Sequence, residues 1–209
     1  MKKILIIFVL IIVLGALALI FGVSRAPEDL VRAGISNDEQ NIENENGDLK
    51  DVTGQVSVSN LDFKFEGFGP GKSHIGTFNK ISISDVKYDT KSEFINEGKI
   101  TFYSNSLNIN PEILNEHLCA ENFFDCENYQ EVTFKLTNVN ISNTSEIIAT
   151  GDLTFKQTTK SISFPIKLED GVVSADFAIN MAEFGFIAPG IVDDEVRIFF
   201  NTPYPNLEI

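Results

Sequence analysis

From residue 52 onward, apolar side chains recur at every second position. Ile162, Phe164, Ile166 and Leu168 alternate with Ser161, Ser163, Pro165 and Lys167. Val173, Ala175, Phe177, Ile179 and Met181 form a second run, and Val196, Ile198 and Phe200 a third. In an extended strand successive side chains point to opposite faces, so each run buries one face and wets the other. Weaker runs fall at Val56 and Val58, Phe63 and Phe65, Ile81 and Ile83, Ile100 and Phe102, Val132 to Leu136, and Ile147 through Phe155. Together they predict about eight to nine strands. Polar and glycine clusters at Gly67–Gly71, Asn140–Ser145 and Glu169-Asp170-Gly171 separate them. Many short strands at hairpin spacing specify an all-β antiparallel sandwich or barrel.

One short helix interrupts the pattern. Asn110 suits an N-cap, Pro111 the first helical position, and Glu112 the positive end of the helix. Ile113, Leu114, His117 and Leu118 then share a face, and the helix stops near Cys119. Such a helix closes one end of a barrel.

The N-terminal part has a different composition. Lys2 and Lys3 precede an unbroken apolar run from Ile4 to Val23. Twenty helical residues span roughly 30 Å, the hydrocarbon thickness of a bilayer. The run is longer than the apolar region of a cleaved signal peptide, and the nearest small-x-small site, Ala16-Leu17-Ala18, lies inside it. Residues 1–25 are therefore expected to be a signal anchor or signal peptide, as a transmembrane or signal helix. The lysines stay on the cytoplasmic side, which places the main domain outside it, periplasmic or at the cell surface. Cleavage would make the domain secreted. Residues 26–51 are rich in Asn, Asp and Glu, without sustained periodicity. They read as an acidic disordered tether. The barrel domain is expected over 52–203, with a tail at 204–209.

The net charge of −14 excludes the basic face that a nucleic-acid binder needs. Catalysis has little support. His74 and His117 could each serve as a general base, yet no nucleophile elbow, phosphate loop or zinc-protease motif is present. Glu183, Asp193 and Asp194 read as solvated loop charges. Cys119 and Cys126 are the two cysteines, and export permits a disulfide between them. With His117 they match no established zinc spacing, so neither a metal nor another cofactor is expected.

Phenylalanine is over-represented: 18 Phe against 4 Tyr and no Trp. An eight-stranded barrel is just wide enough to be filled by its own side chains or to hold one ligand. Composition does not separate these outcomes. The Phe123-Phe124 pair reads as a core plug beneath the helix.

Four segments, in order, resemble the YceI family. They are Gly71-Lys72-Ser73-His74-Ile75-Gly76-Thr77-Phe78; His117-Leu118 with Asn122-Phe123-Phe124-Asp125, Tyr129 and Thr133-Phe134-Lys135; Gly151-Asp152-Leu153-Thr154 with Thr159-Lys160 and Phe164-Pro165; and Ile179-Asn180, Glu183-Phe184-Gly185-Phe186 and Asp194-Glu195-Val196. The resemblance implies an antiparallel, eight-stranded, lipocalin-like barrel around a long apolar channel. It further implies an exported, non-enzymatic protein that binds a long-chain isoprenoid or similar lipid. Phe63, Phe65, Phe102, Phe134, Phe164, Phe177 and Ile179 are the expected ligand-facing residues. The chain departs from the family at Leu114-Asn115, where Arg-Asp is common, and at Met181, where Arg is common. Both changes remove charge from one end of the expected pocket. A filled barrel serving as an envelope interaction module is the alternative, and homodimerisation stays open.

Overall fold

The computed structural model describes residues 24–36, 49–51, 60–91, 94–143, 146–187 and 191–204. Among these, twelve strands form, in place of the expected eight. They are β1 (Gly34–Ser36), β2 (Leu49–Asp51), β3 (Asp62–Gly69), β4 (Lys72–Phe78), β5 (Ile81–Asp89), β6 (Phe94–Tyr103), β7 (Leu107–Ile109), β8 (Glu131–Asn143), β9 (Glu146–Phe155), β10 (Thr158–Glu169), β11 (Val172–Asn180) and β12 (Glu195–Pro203). Eleven lie in one curled antiparallel path, β2-β5-β6-β8-β9-β10-β11-β12-β3-β4-β7, and β1 lies off it on β10. The only α-helix among the described residues is α1 (Ile113–Leu118).

The strand count rises for two reasons. Two long strands bend at a shared corner. β4 passes into β5 through Asn79 and Lys80, and β6 passes into β7 through a tight turn at Ser104–Ser106. The Asn79 N–H donates to the Ser106 carbonyl (2.8 Å) and the Tyr103 N–H to the Lys80 carbonyl (3.2 Å), so pairing continues round the bend. The sheet therefore curls back on itself into a barrel-like body. The other reason is that β1 and β2 come from the segment expected to be a tether.

That segment needs correction where it is described. The sheet splits between β10 and β11, whose pairing covers only Lys167–Glu169 against Val172–Ser174. Residues 31–36 fill the split as a strap. Gly34, Ile35 and Ser36 pair with Ser163, Ile162 and Ser161 of β10. On the other side the Ala33 N–H donates to the Ala178 carbonyl (2.9 Å), and the Ala178 N–H donates to the Val31 carbonyl (2.8 Å). Ala33 and Ile35 pack against the main core cluster. Open strand edges with an apolar interior behind them favour such an added strand over a free tether. β2 pairs with the outer edge of β5. Residues 37–48 lie outside the described residues.

The helix expected over residues 1–25 also lies outside them, except for Ser24 and Arg25, which are not helical. No described helix is long and apolar enough to cross a membrane. The run at Val56 and Val58 is likewise outside. At the other end Tyr204 does not belong to a tail. Its N–H donates to the Gly171 carbonyl (2.7 Å), and its hydroxyl accepts from the Ile95 N–H (3.0 Å).

In β12 the apolar phase faces inward. Val196, Ile198 and Phe200 of β12 line the interior, while Arg197 between them ion-pairs outside with Asp176 of β11 and Glu66 of β3. These carboxylates raise the Arg197 pKa, against a smaller opposing effect of desolvation. The β10–β11 hairpin turns on Asp170 (φ 51°) and Gly171 (φ 73°), the pair of positive φ angles a two-residue turn of matching twist requires.

Helix α1 is shorter than its start signals imply. Glu112 is its N-cap, and the Asn110–Pro111 peptide is cis, so neither residue begins the helix. The Asn115 side chain, one turn in, instead accepts from the Ile109 N–H (2.9 Å). Leu114, His117 and Leu118 face the interior. Ile113 does not join them; it is 58% exposed.

Candidate functional site

The interior is hollow. A cavity of about 470 Å³ runs from the loops beside α1 to Tyr204, and its wall is almost wholly apolar. This falls in the range of small-molecule sites, roughly 300–1,000 Å³. Phe63, Phe65, Phe102, Phe134, Phe164, Phe177 and Ile179 all line it. Period-two alternation brings them together, because inward positions of neighbouring strands fall in register. Phe65 pairs with Ile198 and Phe134 with Leu153. Phe164 and Phe177 stack at 4.1 Å, bridging β10 and β11 where the strap divides their backbones.

Packing explains why the space persists. The Phe63, Phe65, Phe78 and Phe102 rings meet one another at 4.4–6.2 Å. A rigid aromatic wall leaves a void that flexible side chains would collapse into. Gly76 contributes by absence: a Cβ there would overlap the Phe65 ring.

One end, here called the helix-side rim, is closed by the loop after α1. Cys119 and Cys126 are disulfide-bonded, with Cα atoms 4.9 Å apart. The loop between them presents Phe123 and Phe124 to the cavity. Phe124 packs edge-on against Phe78 (5.8 Å) and Phe155 (5.6 Å). Phe123 meets the His117 ring (4.7 Å) and Phe186 (5.6 Å). The pair is therefore both a plug and part of the cavity wall. Reduction of the disulfide should destabilise the domain by about 2–3 kcal/mol, from the entropy of so short a loop. Thermal melts with and without reductant will measure this, and coincident melts would refute it.

Sequence patterns missed other parts of the wall. Phe78 lies on β4, where no alternating run was recognised. Phe94 opens β6 and packs on Tyr204 at 5.0 Å. Isolated aromatics at strand ends carry no periodic signal. Leu114 and Met181 also line the cavity. Their apolar character helps explain its low polarity.

The polar groups on the wall are few. The His74 Nδ1–H donates to the Asn110 carbonyl (3.1 Å), which ties β4 to the start of the α1 segment. His117 is half-buried on α1, and burial lowers its pKa below the ordinary histidine value. Its neutral form is thus favoured by folding. An unfolded chain takes up the proton first, so His117's contribution is full above about pH 6.5 and is lost as the pH falls through the lower folded value. Replacement His117→Gln should flatten the fall in stability between pH 7.5 and 5. Parallel denaturation profiles for the two proteins would contradict this. Among the described residues neither histidine bonds a carboxylate, and no group of metal ligands occurs.

A sequence model described as YceI-like domain matches residues 40–203. A UPF0312 protein of Vibrio parahaemolyticus is 32% identical over 100 residues, which cover 48% of this chain and 50% of that protein. The match thus spans about half the length of that relative. Among solved structures, BcnA of Burkholderia cenocepacia superposes with TM-score 0.54 at 22% identity, covering 66% of this chain and 94% of BcnA. A polyisoprenoid binding domain from Saccharophagus degradans superposes with TM-score 0.50 at 13% identity, covering 70% of this chain and 98% of that domain. At these identities the structural likenesses establish the fold alone.

Proposed function

The chain belongs to the YceI-like family, and from that premise we propose that its domain binds a long-chain hydrophobic ligand, of polyisoprenoid or similar class, and sequesters or transfers it at the extracytoplasmic face of a membrane. The observation that carries this is the hollow apolar cavity, whose lining includes the seven expected residues. The solved neighbour described as a polyisoprenoid binding domain supports the ligand class. The apolar run at residues 4–23 supports membrane anchoring and export.

The proposed mechanism involves no bond making. Burying a methylene from water gains about 0.8 kcal/mol. A lipid tail, however, arrives from a bilayer that is already apolar, so the tail contribution nearly cancels on transfer. Selectivity then rests on cavity shape and on the few polar residues of its lining, His74, His117 and Asp193 at one end, Thr202 and Tyr204 at the other, and Lys99 between. A domain held beside its lipid supply by an anchor gains effective concentration.

The test is native mass spectrometry of the chain from Ser24 onward, purified without detergent, with solvent extraction of what accompanies it. Starting at Ser24 keeps the strap. The expected result is one lipid per chain. An apo mass that persists after incubation with polyprenol-containing vesicles would remove the carrier reading.

A further inference from the structure

The geometry points to a docking surface for the lipid bilayer at the helix-side rim, which orients the cavity end-on to the membrane. The inference rests on the lipid-carrier reading above and on membrane insertion of residues 4–23, and goes beyond both by specifying which face of the domain meets the lipid.

The first observation is where the chain is fixed after the apolar run. The run ends at Val23, and the very next residue is fixed to the rim. The Ser24 N–H donates to the Gly69 carbonyl (2.8 Å), and Gly69 lines the cavity. Two residues on, the Ala26 N–H donates to Asp193 (3.3 Å), whose own N–H donates to the Phe68 carbonyl (3.0 Å). Ala26 is buried. The residue that follows the apolar run is thus held at the cavity's edge. A tether that began freely and joined the far end would impose no such orientation.

The second observation is the rim itself. Contacts run round it from Gly69 and Asp193 to Met181, through the Asp194 carbonyl, then to Phe186, Phe123, His117 and back to β4 by way of the Asn110–His74 bond. On this ring Ile187 is 86% exposed and Ile113 is 58% exposed. Each follows or precedes a residue that lines the cavity, Phe186 and Leu114. Large apolar side chains flanking the end of an apolar cavity suit insertion into the bilayer interface. Glu112, Glu116, Glu183 and Asp194 are exposed near them. Arg25 and Lys72 are exposed on the same rim, so charges of both signs surround the two isoleucines, which carry the apolar contact. The opposite end, marked by the β10–β11 turn, lies the length of β11 away, about 26 Å for nine residues of near-extended strand.

The chain contains no Trp, so single-Trp variants report unambiguously. The full-length chain carrying Ile113→Trp, Ile187→Trp or, at the far end, Val172→Trp is reconstituted into phosphatidylcholine vesicles with brominated acyl chains. The expected result is quenching of Ile113→Trp and Ile187→Trp emission by about twofold or more, with Val172→Trp unchanged. Quenching of Val172→Trp equal to or above the rim variants overturns the orientation, as does absence of quenching at both rim positions. A full-length chain that fails to float with the vesicles overturns it through its anchoring premise. The mass-spectrometric assay of lipid in the Ser24-onward chain is independent of all these outcomes. A loss of orientation is therefore distinguishable from a loss of the carrier reading.

Discussion

Deletion of residues 24–36 is expected to lower the unfolding free energy by on the order of 4 kcal/mol and to make the domain aggregate. The strap supplies ladder bonds to both β10 and Ala178, and each such bond is worth about 1 kcal/mol net. Ile35 adds partly buried apolar area, at about 25 cal/mol per Å². Its removal also bares two strand edges, at Ser161–Ser163 and around Ala178. Ala178 is wholly buried. Unpaired edges over an apolar core are templates for intermolecular pairing. Equilibrium urea unfolding measures the first effect, and light scattering on concentration the second. A control separates the strap's backbone from its surface charge. Arg32 forms two hydrogen bonds with Glu195 but is solvent-exposed, so Arg32→Ala should change stability little. If the deletion unfolds no more easily than Arg32→Ala, the strap is not part of the wall.

Filling the cavity should abolish ligand binding while leaving the fold intact. Ala149 lies on β9, buried and on the cavity wall. Ala149→Phe places a ring in the ligand's volume. Displacing about two methylenes of ligand, at ~0.8 kcal/mol each, already weakens binding roughly tenfold. Overpacking a full core typically costs about 1–3 kcal/mol. Here the hollow absorbs the ring, so the expected stability change lies at or below the low end of that range. Lipid stoichiometry by extraction, read beside the thermal midpoint, checks both halves. Undiminished lipid in a folded Ala149→Phe protein would show that the ligand sits elsewhere.

The strands were legible where one face is wet and the other dry. Ile162-Ser163-Phe164 or Val196-Arg197-Ile198 admits hardly any other local structure, but alternation alone did not say whether the apolar face surrounds a cavity or a filled core. Legibility failed where a partner distant in sequence decides the outcome. Gly34-Ile35-Ser36 has no strand signal of its own. It is a strand because β10 and β11 part above it, a fact encoded more than a hundred residues later. The corner that divides β6 from β7 depends on pairing with Asn79 and Lys80, not on the composition of Ser104–Ser106. The helix start misled because Asn110 and Pro111 carry good start signals locally, while Asn110 is held by His74 across the rim. Phe94 and Tyr204 escaped notice because each stands at a strand end, where no period exists to mark it.

The strap also sets an order of events. Several of its partners lie far along the chain: Arg32 waits for Glu195, 163 positions on, and Ala26 for Asp193, 167 positions on. At synthesis rates of ~5–20 residues per second, that interval is on the order of ten seconds or more. Contacts of such long sequence separation close late, because the intervening loop must first be ordered. The first part of the domain to emerge is thus the last to be seated. Until it is, the nascent barrel stands with a lengthwise slit between β10 and β11, and its interior is reachable from the side as well as from the end.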